Sequence, residues 1–396
     1  MKVMLLHNHY QQRGGEDYST AQEIDLLRSH GHEVLLLTRH NDEINEYNIG
    51  KKAALFFTPT WSSHSRRIVA NEIRAFRPDI VHIQNFFPLF SPAVHVTCSK
   101  ASIPVIQSLR NYRLLAPCAL LIRNDAVCEK CIKGTLWNGI ALRCYRNSAI
   151  QTASVALMIK THRVLRTWDK HVDAFVALTD FARDMFVEAG FDASKIVVRP
   201  NFLSPDPGTG TNARDGAVFI GRLSEEKGIR TLLAAWCTLT EAPMLTLVGD
   251  GPLAEWVRTY VKENSLSNVS LLGWIGPSEV INIVKKTCFF ILPSVCYEGF
   301  PRTLVEAFAT GTPALVSGHG SVGSIVTPGK TGLHFKPGDA NDLAEKAQYM
   351  FDHPEETAEW GRNARAEYLE KYTAESAYQS LMEIYEAVIE RRRYSK

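Results

Sequence analysis

Short apolar runs recur along the chain, each closed by glycine, proline or a polar turn, and each of a length that suits a strand buried on both faces. In the first half these are Val3 to Leu6, Val34 to Thr38, Ile80 to Ile83, Val105 to Gln107, Ala174 to Leu178 and Ile196 to Arg199. Helical periodicity fills several of the gaps: about Asp17 to Ser29, with Ile24, Leu26 and Leu27 on one side, Ser148 to about Thr167, and Asp180 to Ala189. Residues 203–216 are rich in proline, glycine and aspartate and lose the pattern, as a linker does. The alternation then resumes with strands Ala217 to Ile220, Leu245 to Val248, Val269 to Leu272, Phe289 to Leu292 and Leu333 to Phe335. Helices are expected at Ile229 to Trp236 and Arg302 to Ala309, the latter with Pro301 at its start and Gly311 and Pro313 beyond its end. After Asp342 the chain reads as helical, with Ala377, Leu381, Ile384, Tyr385 and Val388 repeating on one face. Strand, loop and helix in succession predict an α/β protein of two Rossmann-like doubly wound domains. The expected boundaries are 1–202, 217–375 and a final helix over 376–396.

Composition narrows this picture. A chain of 396 residues, 45% hydrophobic, exceeds one ordinary domain and contains no apolar run as long as the roughly 18 residues of a membrane span. The apolar start, broken by His7 and Asn8, is too short for a signal peptide, so the cytoplasm is the expected compartment. The net charge is +2, yet residues 100–170 hold 12 Lys and Arg against 3 Asp and Glu. Such a surplus suits an anionic partner: a phospholipid surface, a lipid pyrophosphate or nucleic acid. A solvated basic face accounts for it equally well. The triplet Arg391 to Arg393 carries the same two readings.

Candidate chemistry lies in the loops that follow strands, where parallel sheets bind ligands. Glu298 and Glu306 bracket the turn from strand Phe289 to Leu292 into helix Arg302 to Ala309, with Gly299, Phe300 and Pro301 between them. Arg222 and Lys227 stand in a glycine-bounded strand-to-helix loop, Gly221 to Gly228, as a diphosphate clamp would require. Gly14 and Gly15 occupy the first such loop, although glycines serve turns everywhere. Gly323 to Thr331 imitates a phosphate-binding loop, but five residues separate its glycines where four are needed.

The stretch Glu298-Gly-Phe-Pro-x-x-Leu-Val-Glu306-Ala-x-Ala-x-Gly-x-Pro313, with Gly-Arg-Leu-x-x-x-Lys-Gly over 221–228, resembles glycosyltransferase family 4, the retaining sugar-nucleotide transferases of GT-B fold. The resemblance implies two Rossmann-like domains facing across a cleft, the first taking the acceptor and the second the nucleotide sugar. It further implies that Glu298 and the backbone of Gly299, Phe300 and Pro301 hold the donor sugar, with Leu304 nearby and Glu306 on the ribose. Arg222 and Lys227 then take the diphosphate, Gly14 and Gly15 lie over it, and Trp274 and Ile275 seat the base. Arg110 stands where many members carry a histidine near the donor sugar, which makes it, with Glu298, Arg222 and Lys227, a catalytic candidate; arginine binds phosphate but shuttles no proton near neutral pH. His82 reads either as a polar strand-end residue or as a substrate contact. The implied activity is transfer of a hexose-type sugar from a UDP- or GDP-linked donor to a lipid-linked or glycan acceptor, in polysaccharide or glycolipid synthesis at the inner face of the membrane, without nucleic acid. A non-catalytic sugar-nucleotide sensor and a glycoside hydrolase using the two glutamates remain alternatives. No Asp-x-Asp metal motif occurs, so no catalytic metal is expected.

Within an insert over 114–147, Cys118, Cys128, Cys131 and Cys144 include a Cys-x-x-Cys pair. The spacing allows a structural zinc site, reduced buried thiols or a redox pair.

Overall fold

The computed structural model describes residues 1–11, 14–210, 213–239 and 243–394, so positions 211 and 212 of the expected linker lie outside the described residues. Its contacts group into two units: Met1–Leu121, Cys128–Pro200 and Ala377–Lys396 in one, Ile122–Val127 and Asn201–Ser376 in the other.

The first unit is built on six parallel strands: β1 (Lys2–His9), β2 (Glu33–His40), β3 (Ile80–Asn85), β4 (Val105–Leu109), β5 (Ala174–Ala177) and β6 (Ile196–Val198). Their order is β2-β1-β3-β4-β5-β6. The sheet reverses between β1 and β3, which makes the ends of those two strands its switch point. Val3 and Leu5 of β1, Ile106 of β4 and Val176 of β5 bury against Ile24 and Leu27 of helix Gly15–Ser29 and against Leu381, Ile384, Tyr385 and Val388. The last four belong to helix Ala374–Tyr394, whose apolar face is therefore core of the first unit. Arg392 of that helix pairs with Asp173 at 2.6 Å, so the basic triplet is not wholly solvated.

The second unit repeats the plan with β7 (Ala217–Ile220), β8 (Leu245–Val248), β9 (Val269–Gly273), β10 (Phe289–Leu292), β11 (Ala314–Ser317) and β12 (Gly332–Phe335). The order is β9-β8-β7-β10-β11-β12, the dinucleotide-fold arrangement, and its switch point lies between β7 and β10. Phe219 pairs with Ile291, so the loops opened by Gly221 and Pro293 begin side by side. Phe219, Leu247, Ile291 and Leu315 pack on Leu232, Trp236, Val257, Leu343 and Trp360. Full burial of each such side chain is worth about 1.5–3 kcal/mol.

Two sequence expectations shift. Strand β11 was hidden by Pro313, which precedes it, and β11 supplies a further loop to the same sheet edge. The helix expected over 148–167 is Ala149–Val164, and Arg166, in left-handed backbone, breaks it from the short helix Thr167–His171. No helix among the described residues is long and apolar enough to cross a membrane.

Candidate active site

In the second unit the loop after β7 is held at close quarters by its neighbours. Gly228 has φ +68, and a Cβ there would lie 1.8 Å from the carbonyl oxygen of Pro293 at the end of β10. Only glycine allows that approach. The backbone N–H of Val295 donates to the carbonyl of Glu226, and that of Leu223 to Asp250 after β8. These contacts set Lys227 Nζ 2.6 Å from Glu298 Oε1, an ion pair across the switch point. Ser294 Oγ donates to the same carboxylate oxygen at 2.5 Å. Burial opposes the charge of Lys227, but the carboxylate of Glu298 outweighs it and the pKa is raised. Arg222, five residues earlier, is exposed.

Glu306 lies in the second turn of helix Arg302–Ala309, its carboxylate 3.7 Å from Arg302. Burial pushes its pKa up to about 7, with Arg302 opposing. A carboxylate withdrawn from water in this way gains from any ligand that brings hydroxyl donors. Gly299 is half-buried between the two glutamates. Phe300 is buried, its carbonyl accepting from Asn201 Nδ2 at 3.0 Å. Pro301 is likewise buried, and Leu304 is wholly buried, so its side chain serves the core and offers a ligand no surface.

At the end of β9, Gly273 turns the chain with φ +71, and Trp274 is 72% exposed. The packing role that a tryptophan ordinarily takes is thus not the role of Trp274, whereas Ile275 is half-buried. The glycine-lysine-threonine imitation of a phosphate loop is a turn leading into β12.

The first unit treats its candidates differently. Gly14 caps helix Gly15–Ser29 with open space where a Cβ would be. Its N–H already donates to Asp17 Oδ2 at 2.9 Å. Asp17 Oδ1 in turn receives His7 Nε2 at 2.8 Å and His9 Nδ1 at 2.7 Å. With Glu16 beside Asp17, this helix carries its own anions in its first turn. Arg110 donates from Nη2 to Gln84 Oε1 at 2.7 Å, and its pKa is lowered by burial, with Glu23 and Glu16 opposing. His82 is fully buried, bonded to Tyr385 Oη at 2.9 Å and Ser108 Oγ at 2.8 Å, and burial draws its pKa down to about 4. Of its two readings, the structural one holds.

With this geometry in place, two family models cover most of the chain: Glycosyltransferase Family 4 matches residues 13–206 and Glycosyl transferases group 1 matches 212–367. The chain belongs to glycosyltransferase family 4. Among curated relatives it is similar to an uncharacterized glycosyltransferase of Methanocaldococcus jannaschii, 30% identical over 169 residues, which is 43% of this chain and 47% of that protein. It is also similar to the sulfoquinovosyl transferase SQD2 of Arabidopsis thaliana, 25% identical over 378 residues, 88% of this chain and 66% of that one. The chain thus spans about half to two thirds of these relatives' length. In fold it resembles Anabaena HepE, crystallised in complex with UDP-glucose, with a TM-score of 0.69 at 17% identity, covering 98% of this chain and 100% of that one. The GT-B glycosyltransferase architecture of two parallel-sheet domains is therefore this protein's fold.

Sequence reasoning passed over two residues at the edge of this glycosyltransferase's second sheet. His319, in the loop after β11, bonds through Nε2 to the carbonyl of Ser294 at 3.0 Å; burial lowers its pKa, opposed by that carbonyl and by Glu298. Tyr297 lies against its ring. The signal was present as Ser317-Gly-His-Gly320 after an apolar run, a strand-to-helix loop of the same kind as Gly221 to Gly228.

Proposed function

We propose that this protein transfers a hexose-type sugar from a nucleotide diphosphate to an acceptor hydroxyl, with retention of configuration. The observation that carries the reading is the Lys227–Glu298 pair at the switch point of the second sheet, with Arg222 exposed nearby on the same loop. In the proposed step the bond from the sugar's anomeric carbon to the diphosphate oxygen breaks, and a bond to the acceptor oxygen forms. The acceptor's proton passes to the departing diphosphate. Arg222 and Lys227 neutralise the charge that grows there, and preorganised cations of this sort need no reorganisation as the bond breaks. Lys227 has three N–H donors, so it can serve a phosphate without releasing Glu298. Glu298 accepts from the sugar's hydroxyls, Glu306 from those of the ribose, and Trp274 and Ile275 take the base. The UDP-glucose bound to the HepE neighbour supports a UDP-hexose donor, with a GDP-hexose as the alternative.

The first unit supports a lipid-linked acceptor at a membrane surface. On helix Ala149–Val164, Ile150 (71% exposed), Leu157 (36%) and Val164 (73%) recur every seventh residue as an apolar stripe. Arg143, Arg146, Lys160 and Arg166 are exposed around it. A cavity of about 430 Å³, lined by Phe56, Phe87, Tyr145 and Val155 with Lys52 and Arg146, begins at the helix's first turns. An apolar stripe rimmed with cations suits an anionic bilayer. Arg163 is not part of this rim, because its guanidinium donates to the carbonyls of Leu114 and Leu115.

Turnover of labelled UDP- and GDP-hexoses in the presence of a lipid extract tests the activity. Release of free nucleotide diphosphate with a labelled lipid product is expected, and the anomeric configuration follows from proton couplings. Binding without turnover would instead make the protein a sensor, and cleavage of an aryl glycoside a hydrolase. Ile150→Asp with Val164→Asp should reduce sedimentation with anionic vesicles several-fold. Equal sedimentation of variant and parent would remove the membrane contact.

A further inference from the structure

The insert over 114–147 has little means of ordering itself. Beyond Leu121 its regular pieces are the two-residue strands Ile122–Arg123 and Ala126–Val127 and the five-residue helix Trp137–Ala141. From 122 to 147 the hydrophobic core takes one side chain, Cys131. Asn124, Asp125, Arg143, Arg146 and Asn147 nevertheless hold positive φ, a conformation that residues other than glycine adopt at a cost. Something other than apolar burial fixes this segment.

Its contacts meet around the cysteines. A Cβ on Gly139 would stand 3.1 Å from Cys131 Sγ and 3.3 Å from Pro117 Cγ, so the Cys131 sulfur and the residue preceding Cys118 close on one point. Gly139 also accepts, through its carbonyl, the N–H of Cys144 at 3.0 Å. Cys128, three residues before Cys131, is anchored by its N–H to the carbonyl of Leu121 at 2.7 Å. The chain segments that carry Cys118, Cys128, Cys131 and Cys144 thus converge, and none of the four is in a disulfide.

We propose that Cys118, Cys128, Cys131 and Cys144 bind one Zn²⁺ as a closed tetrahedral site that orders the insert. Four thiolates at about 2.3 Å from the metal leave no open position, so the ion is structural. Binding releases the four thiol protons, and the resulting two negative charges lie in the most basic part of the sequence, with Arg163 in the field of Cys131. The sulfurs have to draw in to bind. Among the described residues the one trio of metal-type donors within 4.8 Å of one another is His7, His9 and Asp17. That trio is already accounted for by the hydrogen bonds that close the first helical turn. Cys144 directly precedes Tyr145 and Arg146 of the apolar cavity, so the ion would also fix that wall.

Metal content of the full chain, measured by mass spectrometry after gel filtration with zinc in the growth medium, tests the site. About one zinc per chain is expected, with Cys118→Ser and Cys131→Ser lowering it at least tenfold, and Cys237→Ser and His7→Gln leaving it unchanged. Should the cysteine variants fail to fold, thiol titration of the parent decides. Four of its eight thiols should react only after a chelator is added, and cobalt in place of zinc should give the absorption of a tetrahedral tetrathiolate. A parent that holds less than a tenth of an equivalent of zinc would overturn the proposal, as would disulfides among these cysteines or zinc lost from His7→Gln and kept by Cys131→Ser.

Discussion

At the carboxyl edge of the second sheet, Arg222 is exposed, Glu306 is a half-buried carboxyl whose pKa is raised to about 7, and Lys227 shares Glu298 with Ser294. Inside the first unit, charge is consumed internally. Arg199 pairs with Glu23 at 2.6 Å, Gln84 joins Glu23 to Arg110, and His82 is held by Ser108 and Tyr385. Burial works against the charge of Glu23, yet Arg199, His82 and Arg110 draw its carboxyl down to about 2. Two sheets of one architecture therefore spend their polar residues in opposite ways. A closed, buried network specifies a fold, whereas charged groups that keep some exposure are available to a ligand.

The contrast is tested most severely by Glu23→Ala, which strands Arg199 in the core. A loss of about 3–5 kcal/mol is expected in denaturant unfolding, the range for a broken buried pair. A loss below about 1 kcal/mol would mean that this network is not closed. Next in size is the pH response of Glu306. The folded protein keeps a proton there that the unfolded chain has released, so between pH of about 4.5 and 7 stability falls as pH rises. Relative to Glu306→Gln, the parent without ligand should lose on the order of 3 kcal/mol across that window. Parallel stability curves for the two proteins would show that Glu306 is not desolvated.

Lys227→Ala should slow transfer about 10²-fold, the scale for loss of one preorganised donor. Transfer should meanwhile persist in EDTA, because Arg222 and Lys227 provide the charge that a divalent ion would otherwise provide. Immediate loss in EDTA, restored by magnesium, together with an unimpaired Lys227→Ala, would transfer that role to a metal. The smallest effect expected is on ground-state binding. Glu306→Ala should weaken a nucleotide diphosphate by about 1.5–3 kcal/mol, and calorimetry that finds no change would remove Glu306 from the ribose.

The strands and the loops after β7 and β10 were legible because each is local: an apolar run, a glycine, and a charged residue a few positions on. What escaped depended on distance along the chain. The partners of His82 are Ser108 and Tyr385, and those of Glu23 are Gln84 and Arg199, so no window of sequence shows that these groups are occupied. Arg110 looked like a candidate for catalysis for the same reason. Leu304 and Phe300 sit inside the motif that marks the site, but a motif records which residues occur and not which way they face. His319 escaped because β11, which delivers it, begins directly after a proline.

Helix Ala374–Tyr394 completes the core of the first unit through Leu381, Ile384, Tyr385 and Val388, and the carbonyl of Ala377 accepts from Arg199. During synthesis, then, the domain begun first cannot be finished first. The ribosome must make residues 201–376 before this helix emerges, roughly 9–35 s at about 5–20 residues per second. Through that interval the second domain is free to fold while the nascent first one keeps apolar surface uncovered. A premature stop a few codons before Ala377 would therefore damage the half of the protein farthest from it in sequence.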